Sequence, residues 1–283
     1  ATKIAYLMGC YYADGTKAGS GWSINASTPE QANYYIQTYK DLICNHKLMY
    51  NLTYTRLFHD LRSVSDIKND LIDYWRSRIP NLDLDHSRIY IVQGTSEHPL
   101  KYNEFGSLRI RDHRMLVNRL FKGLMERCTS IILLSNNRIG MKDFIMGVVE
   151  GDGCAGGGVN RILLSISTNT DDAIIKKILN SLGISYSIDN SKNFNKIGKA
   201  MTFNIGQLEI LKDIEYLSQN LFKFYPKRRK KFFERLIRKP TVLYLLGLNE
   251  NFNPSQIKEI KYLKETAQIK SILKEIKKEF DKP

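Results

Sequence analysis

Two aspartates carry the strongest chemical signal in this chain. Asp14 ends the stretch YLMGCYYADG, and Asp152 ends FIMGVVEGDG, with Met, Gly, Asp and Gly at the same offsets in both. An apolar run that closes on a lone acid is badly placed on an ordinary surface helix. It makes sense if two such helices pack together and present their terminal acids side by side. Gly9 and Gly147 would let the backbones approach closely, and Gly15 and Gly153 would end the helices in the left-handed conformation. Two carboxylates at the negative ends of two helix dipoles repel each other, which favours a divalent cation between them. Hard oxygen ligands without His or Cys point to Mg²⁺, or to Mn²⁺ or Ca²⁺, rather than zinc. Two unrelated buried helix ends would write the same residues.

The charge balance narrows the substrate. Lys and Arg number 43 against 29 Asp and Glu in 283 residues, a formal charge of +14. Such an excess favours a polyanionic partner, nucleic acid first. An anionic membrane surface is the rival, but no apolar run of membrane-spanning length and no lipidation signal occur. A basic protein with paired acids suggests metal-assisted hydrolysis of a phosphodiester.

The surrounding elements support a duplication. After Asp14-Gly15 comes GWSINAS, a strand by its alternation. Thr28-Pro29 then caps and opens a helix with body QANYYIQTYKDLI. After Asp152-Gly153 comes RILLSIST, then Thr170-Asp171-Asp172 capping AIIKKILNSL, which stops at Gly183. ISYSID, the turn SKNFNKIGK and AMTFNI read as a hairpin. The first half answers with LMYNLTYTRLF, RIYIVQG and FGSLRIRD, interrupted by a partly helical insertion around residues 60–86. Each half reads α-β-β-α-β-β-α, an α+β fold. The divisions expected are 1–137, 138–240 and a basic helical extension, 241–283, whose apolar Ile269, Ile272, Leu273, Ile276 and Phe280 suit a helix docked on the core.

At these residues the chain resembles the LAGLIDADG homing endonucleases, in the single-chain form with two motifs, over roughly residues 4–240. The resemblance implies pseudo-twofold halves joined at the motif helices, an antiparallel β saddle on duplex DNA, and a monomer that cuts both strands of a long site. It implies that Asp14 and Asp152 are catalytic metal ligands, with the carbonyls of Ala13 and Gly151 as further ligands. Glu150 takes the place of the earlier acid of the motif, a position usually structural; Tyr12 stands there in the first copy. Ala26 and Thr168 stand where the family often has a Gln, a departure that touches the water-positioning network. An active-site lysine after a Pro is also common. In Tyr225-Pro226-Lys227-Arg228-Arg229-Lys230-Lys231 the spacing selects Lys231, with Lys227 as rival and phosphate clamping as the alternative role. The first half offers Arg127 or Arg138. An intron-encoded origin goes with the family, and protein-splicing residues are absent from both ends.

Alternation supplies a strand face suited to DNA: Ser23, Asn25, Arg109, Arg111, Arg161, Ser165, Ser167, Thr202 and Asn204; Lys227 and Arg228 of the basic run are further candidate DNA contacts. Each suits plain solvated strand surface equally. Degenerate members of the family act as RNA maturases or non-cleaving regulators; both acids are present here, which favours cleavage. GDGCAGGG lacks the Lys-Ser/Thr of a phosphate-binding loop. His46, His59, His86, His98 and His113 show no ligand spacing. Cys10, Cys44, Cys128 and Cys154 are scattered without CxxC spacing, which suits a reducing intracellular compartment. Cys10 and Cys154, inside the glycine regions, read as small packing residues. Lys, Asn, Ile and Tyr richness suggests an AT-rich genome, organellar or prokaryotic.

Overall fold

A computed structural model describes residues 2–16, 21–43, 47–57, 60–79, 82–84, 88–93, 105–168, 173–189, 201–249 and 266–280. Expectations for Cys44, the histidines at 46, 59, 86 and 98, the cap Thr170-Asp171-Asp172, the turn at 191–199 and the turn around 250–255 lie outside these residues. The chain folds as α+β in two compact units, one of residues 14–126 and one of residues 1–13 and 127–283.

In the unit of residues 14–126, strand β1 (Trp22–Ala26) leads into helix α2 (Pro29–Ile43), then β2 (Met49–Arg56), α3 (Val64–Arg78), β3 (Ile89–Gln93), β4 (Ser107–Asp112) and the start of α4 (Met115–Leu134). Helix α2 begins where its caps dictate. The Gln31 amide donates to Thr28 Oγ1 (3.2 Å), the Gln31 side chain accepts from the Ser27 amide (2.8 Å), and Pro29 takes the first turn. Its Ala32, Tyr35, Ile36 and Tyr39 recur at helical spacing and are buried. They pack beneath a sheet of order β1-β4-β2-β3, whose inner face supplies Trp22, Ile24, Leu108, Ile110, Leu52 and Tyr54. Trp22 stacks obliquely on Tyr39 and Phe121, with ring centroids 4.8 Å apart in both pairs.

One pairing departs from the antiparallel expectation. Strand β3 runs parallel to β2, Leu52 opposite Ile89 through Arg56 opposite Gln93. The insertion forms α3, a 15-residue helix capped by Ser63, and such a crossover returns the chain to the same end of the sheet before the next strand begins.

In the second unit, α1 (Thr2–Asp14) lies with α5 (Arg138–Asp152), β5 (Gly153–Gly156), β6 (Leu163–Thr168), α6 (Ala173–Leu182), β7 (Tyr186–Asp189) and β8 (Met201–Ile205). The elements α7 (Gln207–Lys212), α8 (Ile214–Asn220), α9 (Pro226–Ile237), α10 (Pro240–Leu245) and α11 (Thr266–Phe280) follow. The sheet order is β5-β6-β8-β7. Helix α6 buries Ile175, Ile178, Leu179 and Leu182 and ends as expected at Gly183. There φ is +70°, and the Ile184 amide returns to the Leu179 carbonyl (3.0 Å).

The repeat is visible in the strand pairing of each unit. Gly153 pairs with Ile166 as the first residue of the β5–β6 ladder, and Gly15 makes an isolated bridge to Ile24. With α3 and β3 set aside and the Gly15 bridge counted in the place of β5, both sheets run first, second, fourth, third. The C-terminal helix α11 is docked on the core: Ile269, Leu273, Ile276 and Phe280 are buried, and Phe280 stacks on Phe233 of α9 at 5.2 Å.

Candidate active site

The two motif helices cross glycine on glycine. A β-carbon built on Gly9 would stand 2.1 Å from the Phe144 carbonyl oxygen and 3.0 Å from the Cα of Gly147. One built on Gly147 would stand 2.1 Å from the Tyr6 carbonyl oxygen and 2.8 Å from the Cys10 nitrogen. Only glycine admits this approach. Met8 and Cys10 of α1 and Phe144, Val148 and Val149 of α5 are fully buried around the crossing. Burial pushes the Tyr11 hydroxyl up to about 12, so it stays neutral.

From the crossing each helix runs five further residues to its acid. Asp14 is the last residue of α1 and Asp152 the last of α5; both are half-buried, as are Ala13 and Gly151. The helix does not end as the sequence suggested. Gly153 has φ −84° and ψ 149°, extended rather than left-handed, and enters β5 directly. Glycine is required there by proximity, because a β-carbon would meet the Val149 carbonyl oxygen at 2.3 Å. Likewise Gly15 does not close a left-handed cap but pairs with Ile24. In both copies the acid is therefore held at a helix-to-strand junction with the chain fixed on both sides.

The chain leading into helix α9 is tied to the end of α5. The amides of Lys223 and Phe224, just before it, donate to Glu150 at 3.0 and 2.7 Å. Farther on, Arg235 donates to the carbonyls of Ala155 (3.0 Å) and Gly157 (3.4 Å). Lys239 donates to those of Gly158 (2.7 Å) and Val159 (3.0 Å). Residues 223–239 thus follow residues 150–159 in the same direction. Arg228, Lys231 and Arg235, at i, i+3 and i+7, share the helix face that Arg235 turns toward β5. Arg228 and Lys231 lie in sequence between these two pinned ends. Lys231 is exposed; Arg228 is half-buried, with its guanidinium carbon 4.4 Å from the Tyr225 ring centroid and a buried Nη1. Arg229, by contrast, points into the fold, donating to the Ser218 and Leu221 carbonyls against the Phe233 and Phe280 rings. Lys230 pairs with Glu234 at 3.7 Å, and Lys227 is exposed. The run of five cations is therefore several different environments. Buried Lys239, its pKa lowered by burial and then by Arg235, and Arg235 itself were missed in the sequence, where nothing separates a carbonyl-bound cation from a solvated one.

Each motif helix ends in donors that suit a hard cation in kind: an aspartate carboxylate and the backbone carbonyl one residue before it. Among the described residues no group of three or more His, Cys, Asp and Glu side chains converges as a metal cluster, so any cation would rest on fewer carboxylates completed by carbonyls, water or phosphate. Asp112, a further buried acid, is committed elsewhere. It accepts from Tyr39 and from Arg114 Nη2 (2.6 Å) and N (2.8 Å).

The sheet faces sort the remaining expected residues. In the first sheet Ser23 stands opposite Arg111 and Asn25 opposite Arg109, all on one face. Arg109 and Asn25 are exposed, whereas Ser23 is buried and accepts from Arg109 Nε (3.1 Å). Strand β2 adds Asn51, Thr53 and Thr55 to that face and β3 adds exposed Tyr90. These four were missed although the alternation in MYNLTYTR shows three of them. In the second sheet Ser165 faces Asn204, donating to its Oδ1 (2.6 Å), and Ser167 faces Thr202 (3.0 Å between hydroxyls). Ser187 and Asp189 extend the row. Arg161 is exposed in the connection before β6 rather than on the strand, and Cys154 is exposed rather than packed. Ala26 and Thr168 are buried at the ends of β1 and β6. Arg127 is exposed on α4; Arg138 donates to the Leu182 carbonyl (2.9 Å) at the end of α6. No helix among the described residues is long and apolar enough to cross a membrane.

No protein-family model matches the chain, and no curated protein matches it. Among solved structures the chain is similar to one described as the crystal structure of the I-LtrWI LAGLIDADG homing endonuclease bound to target DNA. The identity is 12% and the TM-score 0.44, over 95% of this chain and 97% of that one.

Proposed function

We propose that the protein is a site-specific DNA endonuclease of the LAGLIDADG homing type, a single chain with two motifs that hydrolyses phosphodiesters in both strands of a duplex. The observation that carries the reading is the glycine-on-glycine crossing of α1 and α5, each helix ending five residues later in an aspartate.

In this reading Asp14 and Asp152, with the carbonyls of Ala13 and Gly151, would hold divalent metal, Mg²⁺ first. When bound, the metal supplies an activated water and charge stabilisation at the scissile phosphate. The chain's own residues orient and bind. Asp152 is fixed between α5 and β5. Lys231 and Arg228 bring positive charge to the place where the phosphate gains negative charge. Asn25, Arg109, Arg111, Ser167, Thr202 and Asn204 face base edges and phosphates from the sheets, with Arg161 and Lys227 at their margins. Asp189 on the same face suits an amino-group donor such as cytosine N4. The protein acts as a monomer in a reducing compartment of an organelle or a prokaryote.

Incubation of the protein with a randomised duplex library and Mg²⁺, followed by sequencing of cut ends, tests the reading. Ends converging on one long motif support it. Binding to one motif with no cut ends in Mg²⁺ or Mn²⁺ would replace it by a regulator, and selective binding of folded RNA by a maturase.

A further inference from the structure

Glu150 is completely buried, and each of its three hydrogen bonds comes from a different residue. Tyr6 of α1 donates its hydroxyl to Oε2 at 2.8 Å. The Lys223 amide donates to Oε2 at 3.0 Å and the Phe224 amide to Oε1 at 2.7 Å. One carboxylate thus spans two adjacent backbone N–H groups at the entry of α9, two residues before Asp152. Adjacent amides taken by the two oxygens of one anion make a directed, charge-assisted bond pair. A neutral amide of the same size can accept from only one of them, since its nitrogen would face the other N–H.

The first copy lacks this device. Tyr12 stands at the matching place in α1, buried, with its ring 5.9 Å from that of Phe144. A phenol oxygen cannot take two neighbouring amides as a carboxylate does. Entry into α4 is held from the strand side instead, by Asp112 accepting from the Arg114 amide and guanidinium.

We infer that Glu150 is a positioning residue that latches the chain entering α9, and with it the basic run 227–231, to the end of α5 two residues before Asp152, in one copy of the motif only. The latch itself rests on the hydrogen bonds; its consequence for catalysis rests on the nuclease reading. If α9 is displaced, one strand should be cut slowly while the other is cut as before.

The test is Glu150→Gln, read in two ways. Amide hydrogen exchange of the folded variant should show Lys223 and Phe224 losing protection, while Tyr6→Phe, which spares both amide bonds, should leave them protected. Single-turnover cleavage of a duplex labelled separately on each strand should show one strand slowed ~10-fold or more and nicked duplex accumulating. The other strand's rate should stay within about twofold and binding within about threefold, because an interaction felt only in the transition state is lost. Unchanged exchange at 223 and 224 would overturn the latch. Equal slowing of both strands would overturn the one-sided role and leave Glu150 merely structural. If the wild type cuts no duplex, the nuclease reading fails, while the exchange result still decides the latch. Should the Gln variant not fold, Glu150→Asp, which withdraws both oxygens by one methylene, carries the same two measurements.

Discussion

Gly9 and Gly147 meet backbone to backbone: the β-carbon either would gain stands 3.0 Å from the other's Cα and 2.1 Å from a carbonyl oxygen of the facing helix. Nothing in that contact can yield by a side-chain rotation. The crossing, and with it the arm of five residues from each glycine to its aspartate, is set by the absence of two methyl groups.

Gly147→Ala should therefore destabilise the protein by ~3 kcal/mol, the upper end for overpacking, because backbone has to move. Gly9→Ala should do the same. Gly123→Ala is the control: no atom lies within 4 Å of its β-carbon site on α4, so alanine should be neutral or stabilising by ~0.5–1 kcal/mol. Denaturant unfolding of the three variants checks this, and a mild Gly147→Ala would refute the tight crossing.

Asp152→Asn and Asp14→Asn should each abolish double-strand cleavage and leave DNA affinity largely intact. Affinity in the proposed mechanism rests on phosphate contacts by the basic surface, and replacing an acid also lowers local repulsion. Cleavage assays paired with filter binding separate the two quantities; full cutting by either variant would remove the metal mechanism.

Lys231→Met distinguishes chemistry from clamping. In the proposed mechanism Lys231 meets the charge that develops on the phosphate, so its loss should slow single-turnover cleavage ~10²-fold at saturating protein. Lys227→Met should instead weaken binding and reduce the salt slope by about one unit, with the rate unchanged. An unchanged rate for the Lys231 variant would move that residue to the binding surface.

Asp112 predicts a pH signature. Burial alone would raise its pKa, but hydrogen bonds from Arg114 and Tyr39 outweigh this and hold it at about 2. An unfolded aspartate titrates near 3.9. The folded value is the lower one, so the stabilisation is complete above about pH 4 and is lost as pH falls toward 2. Urea unfolding of wild type and Asp112→Asn should differ by roughly 2 kcal/mol at pH 7, with the gap closing between pH 4 and 2. A gap independent of pH in that range would mean that the carboxylate charge is not what Asp112 contributes.

Much of this protein is legible in its sequence because the signals are local. Helix α2 begins at Pro29 because Thr28 and Gln31 cap it, and α6 stops at Gly183 because only glycine takes that φ without strain. Alternation in GWSINAS, RILLSIST and AMTFNI gives the strands, and the doubled motif gives the duplication, with each glycine and acid at the right offset. What the tertiary structure decided are relationships between residues distant in sequence. Gly153 looks like a helix cap on its own, yet it is an extended residue forced by the Val149 carbonyl and the β6 partner. The cations at 227–231 look equivalent in the sequence. Their differences come from pins on either side, Glu150 on the Lys223 and Phe224 amides and Arg235 on the Ala155 carbonyl, which set the azimuth of α9. Composition and spacing determine which groups a chain owns; which of them share a face depends on how helices far apart in sequence pack, and that packing is a sum over contacts that no local pattern encodes.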